Sequence, residues 1–396
     1  MTSISSSGDE LNAREAQART VRGSFEAAGY EPVTTPVLQP AEIFLDRHGE
    51  DLRRRTYLFN DPGGTELCLR PDLTIPVCRL YLEREPQGLK PARLCASGAI
   101  YRYQPTGSTK LSEYNQCGLE LLGPIDDVEA DAEITRLALR GVEEAGLMAY
   151  EVELGDLALF TALIDALSIP ERWKERLRRQ FWRPAFFADL LTSLQNGEAD
   201  RSDAGRDGLL SAMAGLGEDQ AAALLEDVLK LSGIAPVGGR GVEEIAARLL
   251  QKADDATTGK LPKEAAALIS KFLEISCPAA DAVSQIRALT KDAGITLDAT
   301  LDRLAARLTA LGKAGVDLGT ARFSTGFGRK LEYYTGHVFE IRVPTLGEEA
   351  VIAGGGRYDR LLQTLGASRP VPAVGCAVAL ERLFLATTQS QSGAKK

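Results

Sequence analysis

The chain has 396 residues, with 46 Lys and Arg against 55 Asp and Glu, a formal net charge of −9 and 44% hydrophobic residues. That length predicts two or three domains with a sizeable core, and the acidic balance argues against a nucleic-acid surface spread over the whole protein. Six scattered cysteines without a C-x-x-C pair read as free buried thiols, and two histidines, His48 and His337, leave metal chemistry and His-based nucleophilic catalysis little to work with.

Along the chain, residues 1–9 are Ser-rich and read as a disordered tail without the apolar stretch of a signal peptide. No apolar run approaches the length of a membrane span. A cytoplasmic location is the resulting expectation. An amphipathic helix is expected over 10–28, ended by Gly29. Pro32 and Pro36 then bar a helix and impose an extended segment. Residues 57–59 and 66–70 alternate like strands around the turn Asp61-Pro62-Gly63-Gly64, which predicts a hairpin. A helix over 73–84 is followed by strand, polar loop and strand over 92–123, then by a helix over 128–145. Residues 157–319 carry helical periods broken by Gly, Pro and Asp-Asp, with no fixed repeat. Strand character returns at 321–324, 337–343 and 350–353, the last ending in Gly354-Gly355-Gly356. A helix over 357–365, a strand over 373–379 and a loose polar tail complete the pattern.

Two strand-rich blocks flanking a helical block predict an α+β fold with one antiparallel sheet built from both. The expected domains are 10–155 with 320–388 as one discontinuous unit, 156–319 as a helical insertion, and tails at 1–9 and 389–396.

Several side chains stand where chemistry is possible. Asp72, in Arg70-Pro71-Asp72-Leu73-Thr74, reads first as a helix cap; with Thr74 it also suits an ammonium group. Gln116, Gly118 and Glu120 alternate, so Gln116 and Glu120 face one side of their strand. A buried Glu needs a partner: Arg102 on the neighbouring strand, or a ligand's ammonium or imidazole. The loop 328–336 holds Arg329, Lys330, Tyr333 and Tyr334. It reads as a surface turn or as the wall of a flat ligand with Arg329 over its carboxylate. Gly354-Gly355-Gly356 before a helix permits positive φ and close backbone approach, but it matches neither common phosphate-binding glycine pattern. Arg382 pairs with Glu381 or a neighbour, or faces an anion.

The order and spacing of these elements resemble the histidyl-tRNA synthetase family of class II synthetases. The Pro36 segment resembles the dimer-forming motif 1, residues 92–123 motif 2, and residues 375–382 motif 3. The resemblance implies that Asp72, Thr74, Arg102, Gln116, Glu120, Arg329, Tyr333, Tyr334 and Tyr358 bind histidine. It also departs from the synthetases. Gln104 stands in place of an acid, Lys110 and Ser112 in place of loop arginines that hold ATP, and Lys330 and Glu332 in place of Gly and Asp. A neutral side chain lacks the charge-assisted bonds of an adenylating site. The chain also stops shortly after motif 3, where the synthetases continue into an anticodon-binding domain.

A synthetase body of this kind resembles the ATP phosphoribosyltransferase regulatory subunits. That resemblance implies a non-catalytic role with no cofactor and no nucleic acid. The implied partner is the short-form catalytic subunit of the first step of histidine biosynthesis, in a hetero-octamer of four subunits of each type around a homodimer core. L-histidine is the implied feedback effector. The alternatives are an amino-acid-activating enzyme with a non-tRNA acceptor, and a truncated synthetase.

Overall fold

Alternating small and apolar residues build the two longest strands, β5 (Ala92–Tyr101) and β6 (Glu113–Leu122), which pair antiparallel from Ala92↔Leu122 to Tyr101↔Glu113. The structure is a computed structural model and describes residues 7–45, 55–108, 110–196, 220–221, 223–225, 227, 261–328 and 333–393. These fall into two compact units, Met1–Leu167 with Lys271–Lys396, and Ser168–Ser270.

In the larger unit, β1 (Glu31–Val33), β7 (Glu151–Asp156), β8 (Ser276–Pro278), β9 (Arg322–Ser324), β10 (His337–Arg342), β11 (Val351–Arg357) and β12 (Ala373–Ala379) join β5 and β6. They form a nine-stranded sheet in the order β1-β5-β6-β12-β11-β10-β7-β9-β8. The pairings are antiparallel except β1 with β5 and β7 with β9. A second sheet, β2 (Leu38–Pro40), β3 (Leu58–Asn60) and β4 (Glu66–Leu69), has the order β2-β4-β3. Its expected hairpin is present, closed by the Gly64 amide on the Asp61 carbonyl at 2.9 Å with Gly64 at φ 87°.

The helices of this unit include α1 (Gly8–Ala27), α2 (Thr74–Arg84), α3 (Asp127–Glu144), α4 (Leu157–Ala166), α5 (Ala282–Asp292), α6 (Asp298–Lys313) and α7 (Leu380–Gly393). Helix α3 starts where its chemistry favours a start. Asp126 accepts the Glu129 amide at 3.0 Å, and Asp127 and Glu129 lie in the positive first turn. Helix α1 crosses α3 at Gly141, where an added Cβ would lie 3.0 Å from the Phe25 ring. On the other face of the sheet, Ile75, Val77, Cys78 and Tyr81 of α2 bury against Leu94, Ile100, Tyr114 and Tyr358. The six cysteines are free and buried, as expected. Among the described residues no helix is long and apolar enough to cross a membrane.

Several sequence expectations need correction. The strand at 350–353 runs on through the glycines to Arg357, and helix returns only at Leu361–Thr364. None of Gly354, Gly355 and Gly356 has positive φ. They are pleated residues packed between neighbouring strands, so the phosphate-loop reading falls away. Strands β7 and β8 were read as no element and as part of a helical block. Helix α1 begins at Gly8, inside the expected tail, and α7 extends through residues 389–393. The compact units also divide at different points from the expected 156–319 segment. Helices α4 and α6 lie in the larger unit, where Arg307 of α6 bonds Asp131 and Asp156. The smaller unit contains helices Glu171–Gln180 and Pro184–Asn196, which bury Trp173, Leu177, Phe187 and Leu190. The helix expected over 242–253 lies outside the described residues.

Candidate functional site

Residues opposite one another in antiparallel pairs share a face of the sheet. Three rows therefore cross the central strands on the face covered by α2. The first reads Leu94, Glu120, Gly375, Gly356 and Val338; the second Ala96, Gly118, Ala377, Gly354 and Glu340; the third Gly98, Gln116 and Ala379. Most of these positions are Gly or Ala. They leave a shallow floor from which Glu120 and Gln116 rise on the same face, as their alternation predicts.

Glu120 is 3% exposed. A Cβ at Gly375 would sit 1.7 Å from its carboxylate oxygen, so glycine there is what leaves the carboxylate its place. The Tyr358 hydroxyl donates to Glu120 and the Thr74 hydroxyl bonds it. Burial pushes the Glu120 carboxyl up to about 8; the two hydroxyls pull it back, and neighbouring Asp72 pushes it further. Asp72 is also buried, and burial raises it, opposed by the Ile75 amide and by Arg102. Asp72 Oδ1 accepts that Ile75 amide at 3.0 Å, so the expected helix-start role is present. Gln116 is buried, and among the described residues its Oε1 has no hydrogen-bond partner.

Three tyrosines wall this end. The Tyr333 ring meets Tyr334 edge-on at 4.8 Å and Tyr358 at 5.8 Å. Gly356 makes room for one of them, since a Cβ there would lie 3.0 Å from the Tyr334 ring. Burial raises all three phenols, which stay neutral near pH 7.

Arg102 does not pair with Glu120, contrary to one reading of the sequence. Its Nε donates to the Pro71 carbonyl at 2.8 Å, and its guanidinium lies 5.9 Å from the Tyr114 ring centre. Arg70 lies on the same face, where a Cβ at Gly98 would meet its guanidinium at 2.4 Å, and it bonds the carbonyls of Ala99 at 2.9 Å and Thr35 at 2.6 Å. Arg382 also lies over Tyr114, at 5.3 Å, pairs with Glu349 and donates to the Val351 carbonyl. It does not pair with Glu381, which takes Arg14 and Asn115 instead. In the motif 2 loop, Gln104 Nε2 bonds the Leu111 carbonyl at 3.4 Å, and the Arg102 amide donates to the Ser112 carbonyl at 2.8 Å.

The structure thus gathers Asp72, Thr74, Glu120, Tyr333, Tyr334 and Tyr358, with Gln116 on the same face and Arg102 beside Asp72. Arg329, expected over a carboxylate, lies outside the described residues. Sequence reasoning missed Gly375 and Gly356 as the positions that give Glu120 and Tyr334 their space. Their signal was glycine inside strand patterns, which marks close approach.

The family model described as histidyl-tRNA synthetase matches residues 7–237 and 220–383. An ATP phosphoribosyltransferase regulatory subunit of Brucella anthropi is 38% identical over 369 residues, 92% of this chain and 95% of that protein. The one of Brucella ovis is 38% identical over 375 residues, 94% of each. A solved structure titled an ATP phosphoribosyltransferase regulatory subunit/histidyl-tRNA synthetase, from Bacillus halodurans, aligns with a TM-score of 0.66 at 22% identity. It covers 97% of this chain and 82% of that one. A histidine–tRNA ligase subunit from Alicyclobacillus acidocaldarius aligns with a TM-score of 0.60 at 24% identity, covering 98% and 96%. These two likenesses support the class II synthetase-like α+β fold.

Proposed function

The chain belongs to the family of ATP phosphoribosyltransferase regulatory subunits, on a histidyl-tRNA synthetase-like body, and on that premise we propose that it activates a short-form catalytic subunit and carries the histidine that inhibits it. The observation that carries this reading is a pair of buried acceptors on the glycine floor: among the described residues Glu120 meets hydroxyls but no cation, and Gln116 Oε1 meets no partner. Buried acceptors of this kind are costly when empty. A zwitterionic amino acid with a flat N–H-bearing ring satisfies them: its α-ammonium at Asp72, Thr74 and Gln116, its ring at Glu120 between the tyrosines. Arg329 and Arg102 are the proposed partners of its carboxylate.

Arg382, a cation that would otherwise serve a nucleotide, is engaged internally by Glu349. The loop offers the neutral Gln104 and Ser112. Both features support a non-catalytic role. A homodimer core is supported by the outer face of the small sheet, where Leu38 (51% exposed) and Phe59 (39%) share a side with half-buried Leu67 and Leu69. An apolar patch of this kind calls for a partner surface. The proposed assembly is the hetero-octamer of the family, in the cytoplasm. Linkage requires histidine to prefer an inhibited arrangement, and requires the catalytic partner to change histidine affinity reciprocally.

The test adds the chain to a short-form catalytic subunit. Turnover of ATP and phosphoribosyl pyrophosphate is expected to rise, and histidine to reverse the rise. Histidine-dependent ATP–pyrophosphate exchange by the chain alone, free of contaminating synthetase, would contradict the proposal and favour an amino-acid-activating enzyme.

A further inference from the structure

Resting on the reading that histidine enters this pocket, we propose that its ring is held there as an imidazolium, protonated by the carboxyl of Glu120. The geometry sets which end of the ligand meets which acid. Glu120 lies at the aromatic end, bonded by Tyr358, whose ring packs against Tyr333 and that one against Tyr334. Asp72 lies at the helix start with Arg102 acting on it. A flat ring therefore belongs at Glu120 and an ammonium at Asp72.

Among the described residues, groups from each neighbouring element face Glu120. Asp72, Thr74 and Cys78 come from the α2 side, Cys376 from β12, Tyr333 and Tyr334 from the segment before β10, and Tyr358 from the segment after β11. Among the described residues none of these is a cation. Burial consequently holds the Glu120 carboxyl up at about 8, so that it is mostly protonated at neutral pH. An imidazole arriving beside it, with an ordinary pKa of about 6.5, is a base placed against an acid in a site walled by three neutral rings. The carboxyl O–H bond breaks, an N–H bond forms on the ring, and the proton never leaves the pocket. The product is an ion pair that Tyr358 and Thr74 stabilise on the carboxylate side and tyrosine faces stabilise on the cation side. The order of the two pKa values inverts because each ion gains the other as counter-charge.

The direct experiment records ring-15N L-histidine bound to the full chain at pH 8, where the free ring is neutral. The bound ring is expected to show the imidazolium signature, and to lose it in Glu120→Gln. A neutral ring bound to the wild-type chain overturns the inference and leaves the proposed function standing. No bound signal at millimolar histidine overturns both. A second measurement needs no variant. A triazole analogue of histidine keeps the ring N–H but has far lower basicity, and is expected to bind the wild-type chain at least tenfold more weakly than histidine by calorimetry. Equal affinity would also overturn the inference.

Discussion

The two faces of the nine-stranded sheet bury carboxyl groups in opposite ways. Behind the sheet, Asp131 is fully buried and held between two guanidiniums. Arg307 reaches Asp131 at 2.6 Å and Asp156 at 2.5 Å, while Arg357 reaches Asp131 and Asp359, each at 2.9 Å. His337 joins them through Thr135 at 3.0 Å and is pushed down to about 3 by burial and by both arginines, so it stays neutral. In front, Glu120 and Asp72 are nearly as buried, but among the described residues Glu120 has only hydroxyl partners. Both clusters carry the same desolvation cost. The rear one is satisfied from within and ties α3, α6, β7, β10 and β11 together. The front one is, on the proposed function, completed by histidine. Arg357, Tyr358 and Asp359 are consecutive, so the closed cluster also fixes the tyrosine that holds Glu120 in the open one.

Breaking the closed cluster gives the largest expected effect. Arg307→Met strands Asp156 and leaves Asp131 with Arg357 alone, and Asp156 also caps α4 through the Ala158 amide at 3.0 Å. A loss of about 3–5 kcal/mol is expected, read by urea denaturation. In the open cluster, Gly375→Ala drives a methyl into the Glu120 carboxylate and towards the Leu119 carbonyl, 2.7 Å away. It is expected to lose about 1–3 kcal/mol and to weaken histidine binding severely in calorimetry.

A pH series separates the clusters further. Glu120 is raised from an ordinary 4.5 to about 8 in the folded chain. Its contribution to stability is therefore full below pH 4.5, declines as pH rises, and is gone above about 8. Glu120→Gln is expected to remove that decline in denaturation curves taken without histidine, and an unchanged slope would count against an acid without a counter-cation. Lys110→Ala, on the polar loop, is expected to change histidine affinity and stability by less than about 0.5 kcal/mol, because it touches neither cluster.

The open cluster was largely legible in the sequence. Period-two alternation placed Gln116 and Glu120 on one face, and Asp72 stood at a helix start whose signal is local. The closed cluster was not legible. Asp131 and Arg307 are 176 positions apart, and Asp131 and Arg357 226 apart, so no spacing rule joins them. Gly354, Gly355 and Gly356 are expected to end their strand because glycine is ordinarily punctuation. Here two packed neighbouring strands override that preference, and a Cβ at Gly355 would lie 2.3 Å from the Gly375 carbonyl. The Arg382–Glu349 pair likewise depends on a loop whose path the sequence does not give.

Glu120 and Gln116, on the glycine floor, form the proposed histidine sensor of this regulatory subunit. Its most direct test is histidine inhibition of the short-form catalytic subunit assembled with either the wild-type chain or Glu120→Ala. A charge-assisted bond of about 1.5–3 kcal/mol is lost in the variant. Glu120→Ala should therefore still activate the catalytic subunit, with at least about a tenfold higher histidine concentration needed for half-inhibition. Equal histidine sensitivity in the two assemblies would contradict the account.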